Sequence, residues 1–217
     1  MKMKGSRSVF KTLLFFFMSC VLTINNFAYI MGNYSESIFC QDCESKLTVE
    51  TRVINGGGYF LNAYAKILLF LNKIEVSDIQ GIDYIELKEI LGRAQDNMSQ
   101  AKLTYDSLVE LASITPFNPE AIRRLKIFDY AGFQQNNDLN PIIFKEVAGY
   151  LSHGNVRGFY SRLLANTGEI LRQLNKIKSS IDSKKMPGIT DLCGLSQACS
   201  ETLLFGQYAA EIFSTLQ

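Results

Sequence analysis

Tryptophan is absent from this 217-residue sequence, and histidine occurs once, as His153. A single imidazole cannot supply the two Glu-x-x-His motifs that a carboxylate-bridged di-iron bundle needs. It is also the only base on which a Ser-His-Asp triad could be built, and no nucleophile turn surrounds it. Gly56-Gly57-Gly58 has neither the spacing nor the preceding strand of a phosphate loop. Cys40-Gln41-Asp42-Cys43 has no following histidine for c-type haem attachment. Low-complexity tracts, blocks of like charge and repeated sequence units are missing as well. Together these absences point away from an enzyme and imply no metal and no cofactor.

Acidic residues are missing from the start of the chain, where the first is Glu36. Lys2, Lys4, Arg7 and Lys11 instead precede an apolar run from Leu13 to Ile24, broken only by Ser19 and Thr23. A basic start, a short apolar run and a polar tail is the order of a secretory signal, and the run is short for a membrane span. Residues 1–28 are therefore expected to be a signal peptide with the small Ala28 at the cleavage position, or else an uncleaved N-terminal anchor. Cys20 would carry the lipid if the segment were a lipoprotein signal. Residues 29–42 read as a tether. Without the four basic residues of segment 1–28, 18 basic side chains face 21 acidic ones, a charge of about −3. That balance offers no electrostatic footprint for nucleic acid. The expected location is secreted or periplasmic, with membrane contact only through the N-terminal segment if it is uncleaved or lipidated.

Helical rhythm is what the rest of the chain has in quantity. Leu87, Leu91, Ala94, Met98, Ala101, Tyr105, Leu108 and Ala112 alternate steps of four and three, a 3.5-residue period that keeps one apolar seam on a helix. Asp83 is its N-cap. Val49, Val53, Gly56, Phe60, Ala63, Ile67, Phe70 and Ile74 repeat the pattern from about Cys43. Because this seam crosses the three glycines without changing phase, it predicts one helix, weakened or kinked there, rather than a strand and a break. Val156 to Ile181 carries a third seam, ending before Met186-Pro187-Gly188. A fourth runs from about Ser196, or a turn earlier, to the C-terminus through Leu195, Cys199, Thr202, Gly206, Ala209 and Phe213.

Between the second and third seams, Asn118-Pro119-Glu120 and Asn140-Pro141 each place a capping asparagine before a first-turn proline. They predict two short helices, to about Tyr130 and Ser152, joined by a polar loop at 134–138. The expected fold is all-α: an up-and-down four-helix bundle over residues 43–217 with a short helical hairpin, 117–153, inserted between its second and third long helices.

Apart from Cys20, four cysteines remain, and an even count behind a secretory signal argues for disulfides. In an up-and-down bundle the first and fourth helices start at opposite ends. The expected pairs are then local, Cys40–Cys43 and Cys193–Cys199, the second requiring a loop at Cys193-Gly194. Were the insert to cross the bundle, all four sulfurs could meet, pairing crosswise or holding zinc. Small residues also recur near one mid-bundle height: Gly57, Ala101, Gly168 and Gly206. They permit close helix approach, or else line a cavity for an apolar ligand.

The functional expectation is an extracytoplasmic binding or interaction module for a protein partner or a small apolar ligand. The alternatives are a small-ligand or cofactor carrier using the mid-bundle level, and a thiol redox protein using Cys40 and Cys43.

Overall fold

Every long apolar seam becomes a helix. The computed structural model describes the backbone of residues 43–76, 83–114 and 117–216, and side chains from residue 51 onward, apart from those of residues 75 and 76. Of the described residues 88% are helical, in seven helices, with no strand. They are α1 (Cys43–Val76), α2 (Tyr84–Ile114), α3 (Pro119–Ile127), α4 (Tyr130–Asn137), α5 (Pro141–Leu151), α6 (Val156–Asp182) and α7 (Ile189–Thr215). Among the described residues no helix is long and apolar enough to cross a membrane.

α1 runs through Gly56-Gly57-Gly58 without a break. The helix survives three poor helix formers because tertiary packing supplies what propensity does not. Gly56 is buried against α2, and a Cβ added to it would stand 3.1 Å from Tyr105 Cε1 and 3.3 Å from Thr104 Cγ2. Close approach of α1 and α2 thus leaves no room for a large side chain at this position.

Cross-helix pairs give the direction of each neighbour. Arg52 Nη1 donates to the Ser107 carbonyl at 3.1 Å, and Lys73 Nζ lies 2.8 Å from Glu86 Oε1. The same number of residues separates the two contacts on each helix, in opposite senses, so α1 and α2 are antiparallel. Between α2 and α6, Gln95 Nε2 donates to Asn175 Oδ1 at 2.7 Å and Lys88 Nζ pairs with Asp182 Oδ1 at 2.8 Å, again in antiparallel register. Lys176 Nζ meets Asp191 Oδ1 at 2.7 Å, and Gly194 faces Gln173 Oε1, which sets α7 antiparallel to α6. Such exposed pairs contribute little energy singly. Their value here is that they report register.

The core follows the seams. All eight seam positions of α2 and all eight of α6 are buried. α7 buries more than its seam, adding Leu203, Phe205, Tyr208, Ala210 and Ile212. The wider face arises because α5 packs on α7 as well as on α6. Tyr208 Oη accepts from the Asn140 backbone N–H at 3.0 Å, and Phe144 meets the Tyr208 ring at 6.1 Å between centroids. Tyr150 of α5 meets Phe205 edge-on, and Phe205 stacks on Phe159 of α6 at 5.0 Å.

Two expectations need correction. The insert has three short helices where the sequence suggests two with a polar loop. Asp129 Oδ1 caps Gly132 N–H, Asn137 Nδ2 donates to the Phe133 carbonyl, and Asp138 closes α4 in the left-handed region at φ 49°. Side-chain capping sustains this helix of just over two turns, which has no buried residue of its own. The fourth long helix begins at Ile189, directly after Pro187-Gly188, and not near Ser196. The Asp191 carboxylate in its first turn suits the positive end of the helix dipole and pairs with Lys176. No loop therefore forms at Cys193-Gly194.

Candidate functional site

With that helix continuous, Cys193 and Cys199 stand six residues apart, a rise of about 9 Å, beyond the reach of a disulfide. Both are free: Cys193 is exposed and Cys199 is buried, and burial pushes the Cys199 thiol well above its ordinary range. The expected Cys193–Cys199 bond is therefore not made, because the backbone takes the helical option and separates the sulfurs. Cys40 and the Cys43 side chain lie outside the described residues, as do the segments 1–28 and 29–42. Following the antiparallel pairs from α1 through α2 and α6 to α7, the first turn of α1 comes level with the last turn of α7. Cys193 is then about 30 Å along the axis from the start of α1, too far for a crosswise bond or a shared ion. Among the described residues no group of three His, Cys, Asp or Glu side chains is placed to hold a metal.

The small residues of the mid-bundle level divide. Gly57, Ala101 and Gly206 are buried, while Gly168 is half-buried and faces only the Lys102 Cε at 3.7 Å from a built Cβ. The Lys102 contact places Gly168 at the height of Ala101. Stepping from the Gln173–Gly194 contact, Gly168 comes level with Cys199, and Gly206 lies seven residues further along α7, about 10 Å away. The fourth residue at this height is thus Cys199. Around it the interior is packed with Met98, Ala101 and Thr167, all at zero exposure. The Thr167 hydroxyl is satisfied within α6 by the Leu163 and Leu164 carbonyls.

An open space does exist at this height, on the outer side of α6 and α7. It is a groove of about 380 Å³ where α5 leaves the α6–α7 cleft uncovered. Ala165 of α6, Ala198 of α7 and Phe205 make an apolar floor, and Ile142 and Ile143 of the first turn of α5 make one wall. Phe205 is 1% exposed, its ring held between Phe159 and Tyr150, so the floor is fixed by the core. Asn166 and Thr202 add polar atoms, and the Thr202 hydroxyl donates to the Ala198 carbonyl at 2.7 Å.

Four charged side chains line the rim: Glu146, Arg162, Glu169 and Glu201. Arg162 Nε lies 2.6 Å from Glu146 Oε1, an ion pair joining α6 to α5; its angle is poor for a hydrogen bond, which leaves the shielded Nε–H without an aligned acceptor. Glu169 accepts from Arg172 Nε at 2.8 Å and from Gln173 Nε2 at 2.8 Å. These bonds hold its carboxyl down to about 2, the Arg172 guanidinium contributing most. The sign follows from the depressed value: whatever this carboxylate adds to stability is present above the usual carboxylate range and is lost as pH falls through about 2. Glu201 accepts from the neutral Gln197 amide at 2.7 Å and has no ion pair among the described residues.

Glu146 turns to Arg162, and the single histidine, His153, is exposed just beyond the end of α5 with Nδ1 2.8 Å from the Gly149 carbonyl. Arg162, Glu169 and Glu201 carry no motif; the first two lie about two turns apart on α6, and the packing of α7 beside α6 brings Glu201 to the same groove. No family model matches the chain, nor does any curated protein or solved structure.

Proposed function

We propose that the four long helices form an up-and-down four-helix bundle carrying residues 117–153 as an inserted hairpin, and that this bundle is an extracytoplasmic binding module. Its ligand site is the groove between α5, α6 and α7. The observation that carries this reading is the groove itself: a floor of Ala165 and Ala198 backed by the core-held Phe205, an isoleucine wall and a few convergent polar groups from three helices. Small-molecule sites have this build and size, commonly 300–1,000 Å³. The antiparallel pairs α1–α2, α2–α6 and α6–α7 support the bundle topology, and the basic, then apolar, then polar order of residues 1–28 supports export. A ligand between the four helices has less in its favour, because Met98, Ala101 and Thr167 already occupy that level. The redox reading of Cys40 and Cys43 draws on no described side chain.

The test is a titration of the isotopically labelled protein with 1-hexanol, a neutral apolar probe, followed by amide and methyl chemical shifts. Saturable changes centred on Ile142, Ile143, Ala165, Ala198 and Thr202 are expected. Changes that do not saturate, or that spread evenly over the surface, would remove the groove as a ligand site. For the export half of the reading, Edman sequencing of the protein isolated from its source is expected to begin at or just after residue 28.

A further inference from the structure

We infer that the groove between α5, α6 and α7 takes a small organic cation, a linear alkylammonium whose stem lies over Ala165 and Ala198 and whose head group reaches Glu201. The assignment rests on the groove being a ligand site and adds the sign and shape of the ligand. Charge complementarity carries it. Three carboxylates and one guanidinium face the groove. That guanidinium, Arg162, is committed to Glu146 across the gap between α6 and α5. Glu169 is likewise committed, to Arg172 and Gln173. Of the three carboxylates, Glu201 alone has no cation against it among the described residues, where it accepts from the neutral side chain of Gln197. An anion entering the groove would meet Glu201 and Glu169, and the one guanidinium there, Arg162, already has its charge matched by Glu146. A cation would complete the rim.

The floor sets the rest of the ligand. Ala165 and Ala198 have no side-chain atoms beyond Cβ, so a narrow chain can lie over them between α6 and α7, with the buried Phe205 beneath. Ile142, 81% exposed, stands over the same space as a wall. Burying a methylene stem there is favourable, at about 0.8 kcal/mol for each CH₂ fully removed from water. A volume of about 380 Å³ suits one small molecule rather than a protein partner, whose stable interfaces bury well over about 1,000 Å². The head group sits at an exposed carboxylate, so its charge adds modestly, on the scale of a surface ion pair.

The experiment titrates the full chain with 1-hexylamine, 1-hexanol and hexanoate, which share a chain length and differ in charge, and reads dissociation constants from the shifts of the groove residues. Hexylamine is expected to bind about fivefold tighter than hexanol, with hexanoate weakest. The ratio of amine to alcohol should fall to about one in Glu201→Gln, and remain in Glu110→Gln, an exposed carboxylate on α2. Raising the salt should reduce the ratio in the native sequence. Equal binding of amine and alcohol, or tighter binding of hexanoate, would overturn the cation while leaving the groove as a ligand site. No saturable shift with any of the three would overturn both. N-acetyl-lysine methylamide binding tighter than hexylamine would also overturn the assignment, since it would make the natural occupant a lysine side chain of a partner.

Discussion

Phe159→Ala is expected to lower the free energy of unfolding by about 3–5 kcal/mol, the cost of emptying a well-packed aromatic site. The side chain has zero exposure, and its ring touches Tyr160 at 5.5 Å, Phe205 at 5.0 Å and Phe213 at 6.3 Å between centroids. Its neighbours belong to two helices, so they cannot collapse together into the space without parting α6 from α7. A loss of that size is about a fifth or more of the stability of an ordinary domain. Urea unfolding followed by far-ultraviolet circular dichroism measures it, with Phe128→Ala as a half-buried comparison in the insert that should cost less. A loss below about 1 kcal/mol would mean that the ring stack joining α6 to α7 is not formed. Because Phe205 is also the floor of the groove, the same substitution should weaken hexanol binding in whatever fraction remains folded.

The second large effect separates two glycines two positions apart. Gly58→Ala should stabilise the protein by about 0.5–1 kcal/mol, the usual gain from replacing glycine in a helix. A Cβ there meets nothing within 4 Å. At Gly56 the same gain is opposed, since the new carbon would press on Tyr105 and Thr104 at 3.1 and 3.3 Å. Tyr105 is 5% exposed and has little room to retreat. Gly56→Ala is therefore expected to come out near zero. Gly56→Leu should cost about 3 kcal/mol, the upper end of overpacking, because it pushes α1 off α2. Gly58→Leu should cost far less. Thermal melts of the four variants check the pattern, and equal effects at the two positions would show that α1 does not approach α2 through Gly56.

Much of the fold was legible from spacing. The seams of α2 and α6 are buried at every position that the alternation of four and three marked, because a 3.5-residue period has one geometric consequence on a helix. The same phase argument carried α1 through its glycines. Asn118-Pro119 and Asn140-Pro141 marked the starts of α3 and α5, where both asparagine side chains accept the first free N–H groups. Capping is a local interaction, so the local sequence is enough to show it.

The start of α7 and the helix α4 were not legible, for a different reason. Ile189 to Gly194 has a weak helical signal by itself, and the ion pair from Lys176 and the packing of Leu195 support it from another helix. The cysteine argument failed at the same place, since a Cys193–Cys199 bond needed the loop that this helix replaced. The small-residue level was read by counting from assumed helix starts. An error of one or two turns in the start of α7 moved Gly206 off that level and put Cys199 on it.

By itself, then, the sequence determined the all-helical class, the four long amphipathic segments, the places where most of them begin and end, and which edge of each turns inward. These follow from the period of apolar residues, from capping and from proline, all of which act within a few residues of one another. The tertiary structure alone decided which helices touch, that the insert widens the buried face of α7, and that an open groove lies on the outer side of α6 and α7 rather than among the core residues. Glu146, Arg162, Glu169 and Glu201 meet there only because α5 stops short of covering the α6–α7 cleft, and no short-range rule relates residues from three separate helices.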